Sequence, residues 1–291
     1  MGQTIACANQ KGGVGKTTTV VNVATYLALA GERVLVVDLD PQGNATSGFG
    51  IDRSVLQTTL YDALVGDAPI SSAILPTAIA GCSIAPASVS LAGAEVELAT
   101  SDQRERRLKR LLDPIRDTFD YILLDCPPSL GLLTVNALTA ADSVLIPTQC
   151  EYYALEGLTQ LTATLNLVRD HLNPGLAIKG VVLTMYDGRT NLSADVAAEV
   201  RKHLGAAVFD EIVPRSVRLS EAPSFGLPIA LYRQDSRGAV AYEAIAAELR
   251  RRDGRPTHPV SVSPHDPVLR VAGGPTSVDA PNPSVVAGGA R

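Results

Sequence analysis

The residues most suited to chemistry stand near the start of the chain, in the run Lys11-Gly12-Gly13-Val14-Gly15-Lys16-Thr17-Thr18. It follows an apolar stretch and opens a helix-like one. Glycines without side chains let several backbone N–H groups converge on one anion. A helix starting at Lys16 would point its partial positive charge at the same place. In that geometry Lys16 reaches the β- and γ-phosphates of a nucleoside triphosphate, and the Thr17 hydroxyl ligates Mg²⁺. Thr18 would lie near the α-phosphate. The usual spacing, G-x-x-x-x-G-K-[ST], would place glycine where this chain has Gln10; the remainder of the pattern is intact. Lys11 is a second lysine in a loop that needs one. It either has a separate task or is a solvated surface lysine.

Two further segments supply carboxylates. Val34-Leu-Val-Val-Asp38-Leu-Asp40-Pro41-Gln42 is an apolar run ending in acids. Side chains alternate along a strand, so Asp38 and Asp40 share a face. At the C-terminal end of a parallel strand they would lie where such sheets bind ligands. One can hold a water in the Mg²⁺ shell and the other can orient an attacking water. Tyr121-Ile-Leu-Leu-Asp125-Cys-Pro127-Pro128-Ser129 is a second run of this kind, and Asp125 is expected to hold Mg²⁺ directly or through water. Alone, an apolar run ending in Asp says little; beside a phosphate loop it says much more.

These residues need a scaffold. Strands are predicted at Thr4–Ala8, Val34–Asp38, Ser83–Pro86, Tyr121–Asp125, Ser143–Pro147 and Ile178–Thr184. Helices are predicted at Lys16–Ala30, Asp102–Asp117, Leu132–Ala140, Leu155–His171, Ala194–Leu204 and about Gly238–Arg252. The alternation predicts an α/β fold, a mostly parallel twisted sheet between two layers of helices. With 46% hydrophobic residues, 4% aromatics and no Trp, Ala, Val and Leu must fill the core, which suits a covered parallel sheet. Residues 253–291 contain seven Pro and five Gly and no aromatic residue. They are expected to form a disordered tail after a domain spanning 1–252.

Composition narrows the partners. The formal net charge is −5, so contact with nucleic acid would need a local basic patch. Cys7, Cys82, Cys126 and Cys150 form no C-x-x-C pair and read as buried thiols. No leader pattern is visible, and no apolar run approaches the roughly 18 residues of a membrane span. The expected location is cytoplasmic.

The loop Lys-Gly-Gly-Val-Gly-Lys-Thr-Thr resembles the deviant Walker A loop of SIMIBI-class ATPases, which include the ParA/Soj, MinD and nitrogenase iron-protein families. Asp38–Gly48, Asp125–Ala141, Gln149–Gln160 and Val217–Pro228 resemble chromosomal ParA/Soj partition proteins, and the likeness covers roughly residues 3–250. MinD-like proteins end in an amphipathic membrane helix, where this chain has Pro and Gly. Iron proteins carry paired cluster cysteines that are missing here. Larger plasmid ParA proteins begin with a helix-turn-helix domain, whereas this chain starts at a strand.

The resemblance implies an ATP hydrolase that uses ATP and Mg²⁺, with Lys11, Lys16 and Asp40 as its catalytic set. It implies that Lys11 crosses a dimer interface to the partner's nucleotide, in an ATP-dependent homodimer that sandwiches two ATP molecules. It makes Asp40 the residue needed for hydrolysis and gives Asp38 a supporting role in the metal shell. Such dimers bind double-stranded DNA without sequence preference and associate with the nucleoid. A ParB/Spo0J-like centromere-binding protein stimulates hydrolysis and releases them. Arg189 and Arg218 match DNA-contacting arginines, although ordinary surface ion pairs would place arginine there equally well. Arg215–Arg237 has four arginines against two acids. The denser run Arg104–Arg110 reads either as a solvated helix or as a contribution to DNA or partner binding. Met185, Pro214 and Arg215, beyond the strand Gly180–Thr184 and an expected strand at Glu211–Val213, are expected to flank adenine. Glu151 either contacts nucleotide across the dimer or serves as a helix-start carboxylate. The rival readings are a MinD-like membrane-associated positioning ATPase and a regulatory module in which hydrolysis is incidental.

Overall fold

The computed structural model describes residues 2–256. Seven strands form one sheet: β1 (Gln3–Cys7), β2 (Val34–Asp38), β3 (Leu75–Pro76), β4 (Cys82–Ala85), β5 (Tyr121–Asp125), β6 (Ser143–Gln149) and β7 (Ala177–Thr184). Their order is β3-β4-β2-β5-β1-β6-β7. All pairings are parallel except β3 with β4. The mostly parallel α/β sheet expected above is therefore present. Beside β1 the order reverses: β2 lies on one side, beyond β5, and β6 on the other. Such a switch point opens a crevice at the C-terminal ends of the strands.

The helices are α1 (Lys16–Leu29), α2 (Asn44–Gly48), α3 (Leu60–Leu64), α4 (Leu91–Glu97), α5 (Arg107–Leu112), α6 (Leu132–Ala140), α7 (Ala154–His171), α8 (Asn191–Leu204), α9 (Val217–Glu221), α10 (Ile229–Tyr232) and α11 (Arg237–Arg252). Strand residues alternate between two cores. Ala6, Leu35, Val37 and Leu124 join one core with residues of α3 to α8. Ile5, Val34, Val36 and Leu123 join the other with α1 and α11. All eight are at most 2% exposed. Burial of each Val or Leu side chain stabilises the fold by about 1.5–3 kcal/mol.

Two expectations are corrected. The helix expected at Asp102–Asp117 is broken into a 3₁₀ turn (Arg104–Arg106), α5, and a 3₁₀ turn (Asp113–Thr118). Pro114 cannot donate within a helix. The Asn136 side chain takes over part of the backbone pairing, accepting from Leu108 N and donating to Arg104 O. The strand expected at Glu211–Val213 is absent. Isolated parallel bridges flank it instead, Val181 of β7 with Val208, and Tyr186, just past β7, with Pro214. Past α11, residues 253–255 still contact the domain. Asp253, 5% exposed in its side chain, pairs with Lys179 and accepts from the Tyr121 hydroxyl at 2.9 Å. Arg255 pairs with Glu32, which also holds Arg250 at 2.9 Å. The tail expected from 253 otherwise lies outside the described residues.

Candidate active site

The phosphate loop joins β1 to α1 in the crevice. Gly13 (φ 72°) and Gly15 (φ 88°) take left-handed backbone, which costs glycine little and other residues about 1–2 kcal/mol. The loop is tethered from two sides. Thr184 Oγ1 donates to Val14 O at 2.8 Å. Buried Asn9 donates to Pro147 O at 2.7 Å and accepts from Lys11 N at 3.0 Å. Lys16 is buried, and its Nζ donates to Lys11 O at 3.1 Å. The ammonium is thus folded over the loop's own backbone.

The carboxylates meet this loop from β2 and β5. Asp38 and Asp125 are register partners on adjacent strands, and Cys7 pairs with Asp125 from the other side. Asp38 is fully buried and well bonded. Its Oδ2 accepts from Thr46 N at 2.8 Å and Thr46 Oγ1 at 2.7 Å, and its Oδ1 accepts from Asp40 N at 3.2 Å. Burial raises its pKa, and the Thr46 bonds oppose that rise. Asp125 is also fully buried, yet neither carboxylate oxygen has a hydrogen-bond partner. Desolvation, and next the charge of Asp38, push its pKa well above the ordinary carboxylate range. The Thr17 hydroxyl, outside hydrogen-bond geometry, and Lys16 pull it down.

A buried carboxylate is costly without a cation or donors. Two free oxygens beside a hydroxyl are the donor set that a hard, oxygen-liganded cation takes. The residues present therefore fit Mg²⁺, with Asp125 as the open position. Asp38 is already occupied with the turn that follows β2.

A cleft of about 620 Å³ runs across the loop. Its floor is Gly12, Gly13, Gly15, Lys16, Thr17 and Thr18, with Asp40 on one wall. Asp40 Oδ1 accepts from Gln42 N at 2.9 Å. Of the residues expected near adenine, Met185 lines the cleft and adopts a left-handed backbone (φ 52°), uncommon for a side chain of that size. Pro214 lines a neighbouring hollow with Tyr186 and Arg237. Arg215 is exposed and borders neither. Val14 is buried under the loop. Lys11 does not line the cleft and pairs with Glu151 at 2.6 Å, both side chains nearly half exposed.

Arg189 and Arg218 are exposed, and each is paired within its own segment. Arg189 makes a two-pronged contact with Asp187, at 2.8 and 2.6 Å, and holds that carboxyl well below the usual range. Arg218 donates to Glu221 at 2.8 Å. In the basic run, Arg107 caps the carbonyls of Leu64 and Gly66, and Lys109 pairs with Asp113 at 3.2 Å.

Sequence reasoning missed the far wall of the cleft, which Leu219, Ala222, Pro223, Leu227 and Ile229 form. Asn22 holds that wall in place, accepting from Ile229 N at 2.8 Å and donating to Thr18 O at 2.8 Å. A buried asparagine inside α1 was the available signal, since it needs partners. Thr46 was missed too; its hydroxyl joins Asp38, eight residues back, to the backbone of Ala87, 41 residues on.

A family model described as an AAA domain matches residues 2–178. The sporulation initiation inhibitor protein Soj of Bacillus subtilis is 56% identical over 249 residues, 86% of this chain and 98% of that protein. The chain belongs to the ParA/Soj family of chromosome-partitioning ATPases. The chromosome partitioning protein ParA of Myxococcus xanthus is 53% identical over 272 residues, 94% of this chain and 93% of that protein. Among solved structures, a cobyrinic acid a,c-diamide synthase from Mycobacterium smegmatis, with bound ATP analog and magnesium, superposes with a TM-score of 0.76 at 40% identity. That match covers 88% of this ParA/Soj chain and 98% of the other. The septum site-determining protein MinD of Pyrococcus horikoshii, complexed with Mg-ADP, gives a TM-score of 0.74 at 28% identity, covering 87% and 98%. The phosphate loop of this chain sits at the switch point of the sheet.

Proposed function

We propose that this ParA/Soj chain hydrolyses ATP to ADP and phosphate with Mg²⁺ and uses the cycle to switch DNA binding. The observation that carries the reading is Asp125, buried with two unpartnered oxygens beside a phosphate loop, while Asp40 faces the same cleft. Backbone N–H groups from Gly12 to Thr18 and the ammonium of Lys16 bind the phosphates. Thr17 and Asp125 hold Mg²⁺, and Asp38 supports them by fixing the turn that carries Asp40. When bound, Mg²⁺ offsets phosphate charge. Asp40 orients the attacking water. Met185, with Leu219 and Pro223 opposite, borders the base; Pro214 and Arg215 support that wall from behind.

In the dimeric state Lys11 leaves Glu151 and reaches the partner's nucleotide. A half-exposed ion pair is worth about 1 kcal/mol or less, so this exchange is inexpensive. The ATP dimer binds double-stranded DNA through Arg189 and Arg218, which trade Asp187 and Glu221 for phosphates. Doubling a few arginines suffices for non-specific binding by counterion release. A ParB/Spo0J-like partner stimulates hydrolysis and release, so the protein cycles between cytoplasm and nucleoid. The membrane-associated alternative is weaker. Relatives at 51–53% identity carry chromosome-partitioning names, whereas the MinD structure is at 28%.

Gel filtration with ATP, ADP or no nucleotide tests the reading, in the unaltered chain and in Asp40→Ala. The ATP dimer is expected to persist longest in Asp40→Ala and to retain DNA at low salt. Arg189→Ala and Arg218→Ala are expected to lose DNA but keep the dimer. A monomer under all conditions overturns the assignment of Lys11.

A further inference from the structure

The turn carrying Asp40 is held from outside by a side chain that the reading above does not use. Arg53 opens the 3₁₀ turn Arg53–Val55, which Asp52 caps by accepting from Ser54 N at 2.9 Å. The guanidinium donates from Nη1 to the carbonyl of Gln42 and from Nη2 to the carbonyl of Pro41, the latter at 3.0 Å. Inside the same turn, Gln42 N donates to Asp40 Oδ1 at 2.9 Å and Gly43 N to Asp40 O at 2.8 Å. The direction of the Asp40 carboxylate is thus set by the turn, and the turn is gripped by Arg53.

Gly43 shows how close the grip is. It has φ 65°, and a Cβ built there would lie 2.5 Å from Cζ of Arg53 and 2.6 Å from its Nε. The guanidinium lies against the bare Cα. Left-handed backbone and this seat both require glycine at that point. Two successive carbonyls facing one way repel each other, and a planar fork with several donors answers both at once. An ammonium, a single point charge, does so poorly.

We propose that Arg53 is a positioning residue for hydrolysis, holding the Pro41–Gly43 turn so that Asp40 keeps the attacking water aligned. This rests on the ATPase reading and extends it to a residue outside the cleft. Pro41 is half-buried and Gln42 exposed, so water can replace the guanidinium and the fold survives its loss. Alignment does not survive. A misplacement on the order of 1 Å can cost up to about a hundredfold in rate.

The test uses the full chain with three variants, Arg53→Ala, Arg53→Lys and Asp40→Ala. Single-turnover hydrolysis, affinity for a fluorescent ATP analogue, and hydrogen exchange without nucleotide are measured on each. Arg53→Ala is expected to slow hydrolysis by about tenfold or more, with affinity within about twofold. Arg53→Lys should fall between it and the unaltered chain. Exchange at Gln42 and Gly43 should accelerate in Arg53→Ala while α1 and β5 stay protected. An unchanged rate in Arg53→Ala overturns the proposal, as does faster exchange throughout the domain or an equal loss of affinity and rate. Absence of turnover in the unaltered chain overturns the ATPase reading and this role together. Turnover there with an unchanged Arg53→Ala rate removes the role of Arg53 alone.

Discussion

Replacing Thr46 by valine should destabilise the chain by about 3 kcal/mol at pH 8, without changing its shape. Thr46 is fully buried, and its hydroxyl does two things. It donates to Asp38 Oδ2 at 2.7 Å and accepts from Ala87 N at 3.1 Å. Valine keeps the volume and removes both bonds. Loss of a donor to a buried carboxylate costs about 1.5–3 kcal/mol, and the stranded Ala87 N–H adds about 1–3 kcal/mol. The extra apolar methyl returns about 1 kcal/mol. For an unfolding slope of about 3 kcal/mol per molar urea, the midpoint should fall by about 1 M. Thr46→Ser keeps the hydroxyl and should lose only about 1 kcal/mol.

The deficit also has a pH signature. Burial raises the folded pKa of Asp38 above its ordinary 3.8, and the Thr46 bonds oppose that. A raised carboxyl weakens the fold as pH climbs past the ordinary value, because the folded state must then give up a proton that it holds more tightly. Removing the hydroxyl lifts the pKa further, so the deficit should be larger at pH 8 than at pH 5. Urea melts in EDTA, without nucleotide, check both points. A Thr46→Val midpoint close to the unaltered chain, or a Ser variant as weak as Val, would refute the hydrogen-bond argument.

Asp125→Asn should make the nucleotide-free chain about 1–3 kcal/mol more stable at pH 8, since a neutral amide is cheaper to bury than an unpaired carboxylate. The same change should abolish any Mg²⁺ dependence of ATP affinity; a less stable variant would show that the orphaned oxygens are partnered in solution. Asp120 is held down to about 2 by Arg33, chiefly through a side-chain hydrogen bond. Its contribution is present above 3.8 and lost as pH falls toward 2, so Asp120→Asn should cost about 1 kcal/mol or less at pH 7 and nothing near pH 2. Gly226 has φ 64°, and a Cβ there would lie 2.8 Å from Gly50 Cα. Gly226→Ala should lower the calorimetric melting temperature by roughly 5–10 °C, and an unchanged transition would show that the two turns move apart freely.

Much of the scaffold was legible because the signals were local. Val34–Asp38, Tyr121–Asp125 and Leu132–Ala140 fall where apolar runs and turn residues predicted them. The phosphate loop was legible because glycine, lysine and threonine serve one anion within one turn of helix. What stayed hidden depends on distant partners. The five-residue helix Asn44–Gly48 has no period to read, and its Thr46 hydroxyl accepts from Ala87 N, 41 positions on. The helix expected across Asp102–Asp117 failed at Pro114, where a prolyl ring outweighed an otherwise helical composition. Lys11 and Glu151 lie 140 positions apart, and no spacing rule joins them. The cleft's far wall comes from short pieces between Leu219 and Ile229 whose turns look alike in sequence whether they line a site or cover a core.

The contacts of Asp253 and Arg255 have a practical side. They grip Tyr121 and Lys179, residues at or near the N-terminal starts of β5 and β7, and Glu32, which leads into β2. The phosphate loop and Asp125 lie at the other ends of the strands. β5 climbs about 13 Å between Tyr121 and Asp125. Any label, affinity handle or fluorescent domain joined directly after Pro256 therefore starts from the pole of the molecule opposite the nucleotide, with ion pairs as its strain relief. A reporter placed there watches the cycle from behind the sheet rather than from inside the cleft.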